Sequence, residues 1–191
     1  MRKIIYTLSV SLDGFVEDAE KNLDWGHIDE EIHRFFNEQS EAMDALLYGR
    51  TMYELMSAYW PTADLNPSAH AVEVDFSRIW KQVPKLVFSD TLEHVEWNSR
   101  LLRRNDLAET VKSLKAQPGR DIGVGGPTLA GALIRLGLVD EFHMMVNPIV
   151  LGRGTPYFPP LDQRIALQLV ETRPFSGGVM LLRYQLANPT P

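Results

Sequence analysis

Cysteine is absent from the 191 residues. That excludes disulfides, thiolate metal sites and cysteine nucleophiles. Long apolar runs are absent too, and the longest fall far short of a membrane span. Met1–Tyr6 runs straight into a strand pattern, without the apolar region and small-residue cleavage site of a signal peptide, so the expected location is the cytoplasm. There is no basic excess: 19 Lys and Arg stand against 25 Asp and Glu, for a formal net charge of −6. This argues against a nucleic-acid partner, because phosphate backbones reward clustered cations. The densest basic group, Arg100, Arg103 and Arg104, reads as solvated surface beside a strand.

Several chemical motifs are missing as well. No His-Glu-x-x-His occurs. Glu30-Glu31-Ile32-His33 holds one Glu-x-x-His, but a carboxylate-bridged di-iron site needs a second such helix and further carboxylates, so no metal is expected. There is no Gly-x-Ser-x-Gly elbow and no Walker A lysine. The Rossmann fingerprint fails at its third glycine, where Thr128 stands.

What is present is ordinary globular material, 45% hydrophobic and 23% charged. One domain is expected over 1–187, with a fraying tail at 188–191. Strands are predicted over 4–10, 45–48, 85–88, 121–124 and 139–146, from runs of Ile, Val, Leu and aromatics bounded by turn residues. Helical faces follow from Ile32, Phe35 and Phe36 behind an Asp29 cap, and from Met52, Leu55, Met56 and Tyr59. Others follow from Val72, Phe76, Ile79 and Trp80, from Leu107, Val111 and Leu114 behind Asp106, and from Leu129, Leu133, Ile134 and Leu136 behind Pro127. Residues 61–67 and 147–160 read as loops, and 165–172 with 179–186 as a final hairpin. Alternating strands and helices followed by a hairpin predict an α/β fold. Its central sheet is mixed, mostly parallel and flanked by helices, with a C-terminal antiparallel hairpin.

Three strand ends carry unusual residues: Gly49-Arg50-Thr51, Ser89-Asp90, and Gly123-Val124-Gly125-Gly126-Pro127-Thr128. Ligands of open α/β sheets bind outside the carboxyl ends of strands. Two of these ends lead directly into a helix, whose free N–H groups and dipole favour a phosphate. Gly125-Gly126 alone would be a tight turn, and Arg50 alone a surface arginine. Together they point to a diphosphate site.

These segments resemble the dihydrofolate-reductase-like superfamily. Leu46–Glu54 is similar to its strand–Gly-Arg–helix segment, Leu86–Ser89 to its next strand, and Ile122–Leu129 to its Gly-Gly helix start. Ser9–Phe15, Leu138–Glu141 and Pro148–Phe158 resemble the reductase domain of riboflavin biosynthesis. The resemblance covers almost the whole chain and implies an NADPH-dependent reductase acting on a C=N or C=O group of a small heterocyclic or sugar-bearing substrate. FMN stays open as the cofactor, and a nucleotide- or flavin-binding module with little catalysis as the alternative function. By position, Gly49, Arg50 and Thr51 would hold phosphates, with Arg50 on the 2′-phosphate. Ser89 would lie near the adenosine, and Gly125, Gly126, Pro127 and Thr128 would cradle the pyrophosphate and ribose. Gly152 and Arg153 would lie on the substrate side. Relatives of this branch imply a homodimer.

Dihydrofolate reductases carry a buried acid on the first helix. Here Asp29, Glu30 and Glu31 open that helix, and counting back from Gly49 lands near His33. The candidate proton donors are Asp13, Asp24 and His27, or a water held by one of them. Asp13 leads because it ends the first strand, and it reads equally as an Asx turn into Gly14. Trp25, beside Asp24, matches the tryptophan of the family's preceding loop. Trp25, Tyr53 and Trp60 are aromatic candidates for the substrate face, and each reads equally as core.

Overall fold

The computed structural model describes residues 1–187; the tail expected to fray, 188–191, lies outside the described residues. Eight strands form the main sheet, in the order β5-β4-β3-β6-β1-β7-β10-β9. They are β1 (Ile4–Ser11), β3 (Ala45–Gly49), β4 (Lys85–Phe88), β5 (Ser99–Leu102), β6 (Ile122–Gly125), β7 (Glu141–Asn147), β9 (Leu167–Pro174) and β10 (Met180–Leu186). The strands from β5 to β7 are mutually parallel. β10 runs against them, antiparallel to β7, and β9 returns antiparallel to β10 as the expected hairpin. A small second ladder joins β2 (Phe15–Asp18) to β8 (Gly154–Pro156).

Alternation along the strands sorts side chains to two faces. On one face Ile4, Tyr6, Leu47, Ile122, Val124 and Phe142 pack under α4 (Leu107–Ala116) and α5 (Pro127–Arg135), which contribute Val111, Ala130 and Leu133. The opposite face carries two separate clusters. One sets Phe76 and Trp80 of α3 (Ala71–Gln82) and Tyr53 of α2 (Arg50–Tyr59) on Leu46, Tyr48 and Val87. The other sets Ile32 and Phe35 of α1 (Glu30–Glu41) on Met145 and Leu181. Between them lies β1, a central strand that helices would normally cover, yet Thr7 and Ser9 on this face stay half-exposed. The helical layer is therefore split along the middle of the sheet.

Some expectations change. The strands β2, β5 and β8 stand where loop was expected or nothing was assigned. Trp60–Leu65 forms a 3-10 turn rather than a plain loop, with Pro61 in its first positions. On α2 the buried residue is Tyr53, while Leu55 and Tyr59 face solvent. Tyr59 is turned outward by its hydroxyl, which donates to Glu73 Oε1 at 2.7 Å. Leu136 is likewise exposed at the end of α5. Asp106 sits in a 3-10 turn with helical backbone angles, so its side chain makes no cap bond to α4.

Candidate active site at the carboxyl ends of the strands

Parallel pairing brings the carboxyl ends of six strands to one edge. Two helices begin there in an unusual way. Both α2 and α5 start from glycine, Gly49 and Gly126, with no side-chain cap and no acid in the first turn. By contrast, Asp29 caps α1, and Glu73 closes the start of α3 by accepting from the His70 N–H at 2.9 Å. Unpaired first-turn N–H groups without a nearby acid are what an incoming phosphate requires. The two starts lie side by side: a Cβ on Gly49 would sit 3.8 Å from Leu129 Cβ, and one on Gly126 3.2 Å from Met52 Cβ. Gly49 has φ −83°, so neither its backbone nor its neighbours demand glycine. The missing side chain leaves the backbone open to a close ligand. Gly126, at φ +89°, needs glycine for conformation as well. Thr51 and Thr128 are exposed in these first turns.

Arg50 opens α2. Its Nε donates to Glu54 Oε1 at 2.8 Å and its NH1 to Thr91 Oγ1 at 3.0 Å. Thr91 is held by Ser89, whose buried hydroxyl accepts from the Thr91 and Leu92 N–H groups at 3.2 and 3.1 Å. Ser89 thus shapes the loop beneath Arg50. Parallel pairing of β4 with β5 brings Arg103 and Arg104 to the same loop. Arg103 NH1 donates to Asp90 O at 3.1 Å, and the Arg104 N–H to Asp90 Oδ1 at 3.1 Å. Of the three arginines read as solvated surface, Arg103 and Arg104 are exposed and also hold the loop that meets Arg50. Their sequence separation hid this.

The other corner is built on Asp13. Its carboxylate accepts from the Ser11 hydroxyl at 2.7 Å and from the Leu151 and Gly152 N–H groups at 3.1 and 2.7 Å. The Ser11 hydrogen bond, then those backbone donors, hold its pKa below the usual carboxylate range. Asp13 is thus ionised near neutral pH and serves as a clamp on the 151–152 loop. It has no proton to donate there. Arg153 lies outward on the same loop, its NH2 donating to Glu20 Oε1 at 3.2 Å. Asp24 is exposed on the loop between β2 and α1, and the Trp25 Nε1–H donates to Asn22 O at 3.1 Å. Tyr53 is core: it is buried, and its hydroxyl accepts from the Glu96 N–H at 2.8 Å. Trp60 is half-buried, edge-on to His33 and Phe76 with centroids 5.6 and 4.4 Å away.

Between these corners the split in the helical layer opens over Thr7 and Ser9. From α1 the inward residues are Ile32 and Phe35, with Phe36 half-buried beside them, while Glu30 and Glu31 are exposed. His33 is turned toward Trp60 and bonds Asn37, Nδ1 to Oδ1, at 3.0 Å. No acid from α1 enters the cleft. Thr7, Ser9 and the buried Asn147 at the end of β7 were not singled out from sequence. A signal existed: Thr7, Ser9 and Ser11 form a polar alternation on a strand whose other face, Ile4, Tyr6 and Val10, is apolar. Among the described residues no group of three or more His, Asp or Glu could hold a metal ion, and no helix is long and apolar enough to cross a membrane.

The RibD C-terminal domain family matches residues 2–181. The uncharacterized protein YyaP of Bacillus subtilis is 37% identical over 187 residues, covering 96% of this chain and 94% of its own. A Thermotoga maritima diaminohydroxyphosphoribosylaminopyrimidine deaminase/5-amino-6-(5-phosphoribosylamino)uracil reductase superposes with TM-score 0.66 at 14% identity. The match covers 97% of this chain and 57% of that one. A dihydrofolate reductase from Enterococcus faecalis, complexed with NADP(H), superposes with TM-score 0.64 at 14% identity over 97% of each chain. The fold is thus dihydrofolate-reductase-like.

Proposed function

The chain belongs to the RibD C-terminal domain family, a reductase-like family, and from that premise we propose that it is an NADPH-dependent reductase. Its substrate in this reading is a small heterocyclic or sugar-bearing molecule reduced at C=N or C=O. The observation that carries the reading is the pairing of two acid-free, glycine-started helices with Arg50 at one edge of the sheet. A bound nicotinamide supplies the hydride. The chain's own part is placement. The first turns of α2 and α5 hold the diphosphate. Arg50, with Arg103 and Arg104 behind it, meets the 2′-phosphate through a planar fork of donors. Asp13 fixes the Leu151–Gly152 loop, and Thr7 and Ser9 offer neutral hydroxyls from the cleft floor. Asp13 is ionised and α1 offers no acid, so the proton for the reduced group comes from water at the open cleft, beside Asp24 or His27. The reading carries with it a cytoplasmic homodimer that binds neither nucleic acid nor membrane.

A second reading is a nicotinamide- or flavin-binding module with little turnover. It rests on that missing acid. Titration with NADPH, NADH and FMN, followed by melting temperature, separates the two classes of ligand. NADPH should bind at least tenfold more tightly than NADH, and Arg50→Ala should remove most of that preference while leaving the melting temperature of the free protein unchanged. No shift with either nicotinamide would overturn the reductase reading, and a shift with FMN alone would make the protein a flavin binder.

A further inference from the structure

We infer that the chain carries a second binding site behind the last turn of α5, for a small organic monoanion with an apolar body. The site follows from how the sheet is covered. On the face of Ile4 and Tyr6 the covering helices are α4 and α5. Phe142 of β7 and its register partner Tyr184 of β10 lie at the margin of that layer. There the chain from Tyr157 to Ile165 continues the cover as irregular structure, with the Phe158 ring 5.3 Å from that of Phe142. This cover does not close against α5. It leaves a cavity of about 410 Å³ between the end of α5, the start of β7, the end of β10 and residues 161–165. Small-molecule sites occupy roughly 300–1,000 Å³.

The cavity has an apolar interior and a charged mouth. Val139 and Phe142 are buried, Ile165 is half-buried, and the exposed Leu161 and Leu186 line its outer part. At the mouth stand Arg135, Asp162 and Arg164, all exposed. Arg135 is folded back along α5, its NH1 3.7 Å from where a Cβ on Gly131 would sit. None of the three makes an ion pair or side-chain hydrogen bond among the described residues. By contrast, Arg2, Arg120 and Arg183 at the same end of the sheet are held by Asp44, Glu141 and Glu171. Two guanidinium groups and one carboxylate leave a single positive charge over an apolar space. The complement is a carboxylate on a hydrocarbon body, because the guanidinium fork matches two carboxylate oxygens and the body gains by leaving water. A nucleotide fits poorly, since its phosphates meet Asp162 and its ribose would be buried against leucine and phenylalanine. The cavity lies at the opposite end of α5 from Gly126, so the inference stands apart from the cofactor reading above.

The test sets one tail under three head groups: calorimetric titration with octanoate, octanol and octylammonium, all below their micelle concentrations. Octanoate should bind about tenfold more tightly than octanol, and octylammonium more weakly than either. Amide NMR shifts on adding octanoate should centre on Gly137, Gln163 and Leu186. Arg135→Gln and Arg164→Gln should each weaken octanoate roughly three- to tenfold, while octanol affinity and the melting temperature of the free protein stay unchanged. Leu161→Ser should weaken octanoate and octanol alike. Arg50→Ala should alter neither. Absence of octanoate binding, octylammonium binding as tightly as octanoate, full octanoate affinity in both arginine variants, or shifts centred on residues 49–51 and 125–128 would each overturn the inference.

Discussion

The two ends of the parallel sheet are built on opposite principles. At the amino ends, charges are paired and partly buried. Lys115 Nζ meets both Asp140 oxygens at 2.7 and 2.6 Å and the Leu138 carbonyl at 3.1 Å, while Asp140 also accepts from the Ile4 N–H at 2.8 Å. Lys3 Nζ donates to Glu141 Oε1 at 2.6 Å, and Arg2 and Arg120 share Asp44. At the carboxyl ends the same chain leaves two helix starts uncapped and its arginines exposed. The amino ends half-bury charge pairs that hold strands together, whereas the pairs at the carboxyl ends, such as Arg50 with Glu54, stay exposed to solvent. An arginine's meaning therefore depends on which end of the sheet it occupies, which no local sequence window reports.

The comparison breaks most sharply at Lys115. Lys115→Ala should cost about 3 kcal/mol in urea unfolding, because it strands a half-buried carboxylate, yet leave NADPH affinity of the folded protein intact. Next comes Glu141. The hydrogen bond to His143, then the one from Lys3, hold its pKa at about 2 in the folded protein. A depressed carboxylate stabilises above its unfolded pKa and ceases to do so as pH falls through the folded value. On the order of 2 kcal/mol should thus be lost between the ordinary Glu pKa and pH 2, and Glu141→Gln should flatten that part of the stability–pH curve.

The smallest effects sharpen the carboxyl end. A Cβ on Gly125 would meet the Tyr48 ring at 2.8 Å and Met52 Cε at 3.0 Å, so Gly125→Ala should cost roughly 1–2 kcal/mol through overpacking. Gly49→Ala should change stability by less than about 0.5 kcal/mol and still weaken NADPH severalfold. A large stability loss at Gly49 would instead make its glycine a folding requirement.

Much of the architecture was legible because buried parallel strands read as dense apolar runs, and because Asp29 and Pro127 mark helix starts by local chemistry. The short strands were not. Phe15–Asp18 and Gly154–Pro156 pair only with each other, and Ser99–Leu102 is a four-residue edge strand whose leucines are half-buried, so none carries a run of buried residues. The glycine junctions were legible as strand ends that lead straight into helix starts, and the structure shows both starts without a side-chain cap. The Asp13 clamp and the seat of His27 on Asn147 depend on contacts across most of the chain, and the company Arg103 keeps depends on the pairing of β4 with β5, so periodicity contains no trace of them. Tyr53, which reads from sequence equally as substrate face and as core, is buried, because its hydroxyl finds a backbone partner in the Glu96 N–H.

The placement of β1 has a consequence for how the chain is made. This strand emerges first, yet its sheet partners begin at Ile122, 118 residues later, and at Glu141. At ordinary translation speeds that is a wait of roughly 6–24 s, during which β3, β4 and β5 can already associate. The cleft floor is thus the first part of the site to be synthesised and among the last to be enclosed, so its apolar reverse face, Ile4, Tyr6 and Val10, is the stretch most in need of protection on the ribosome.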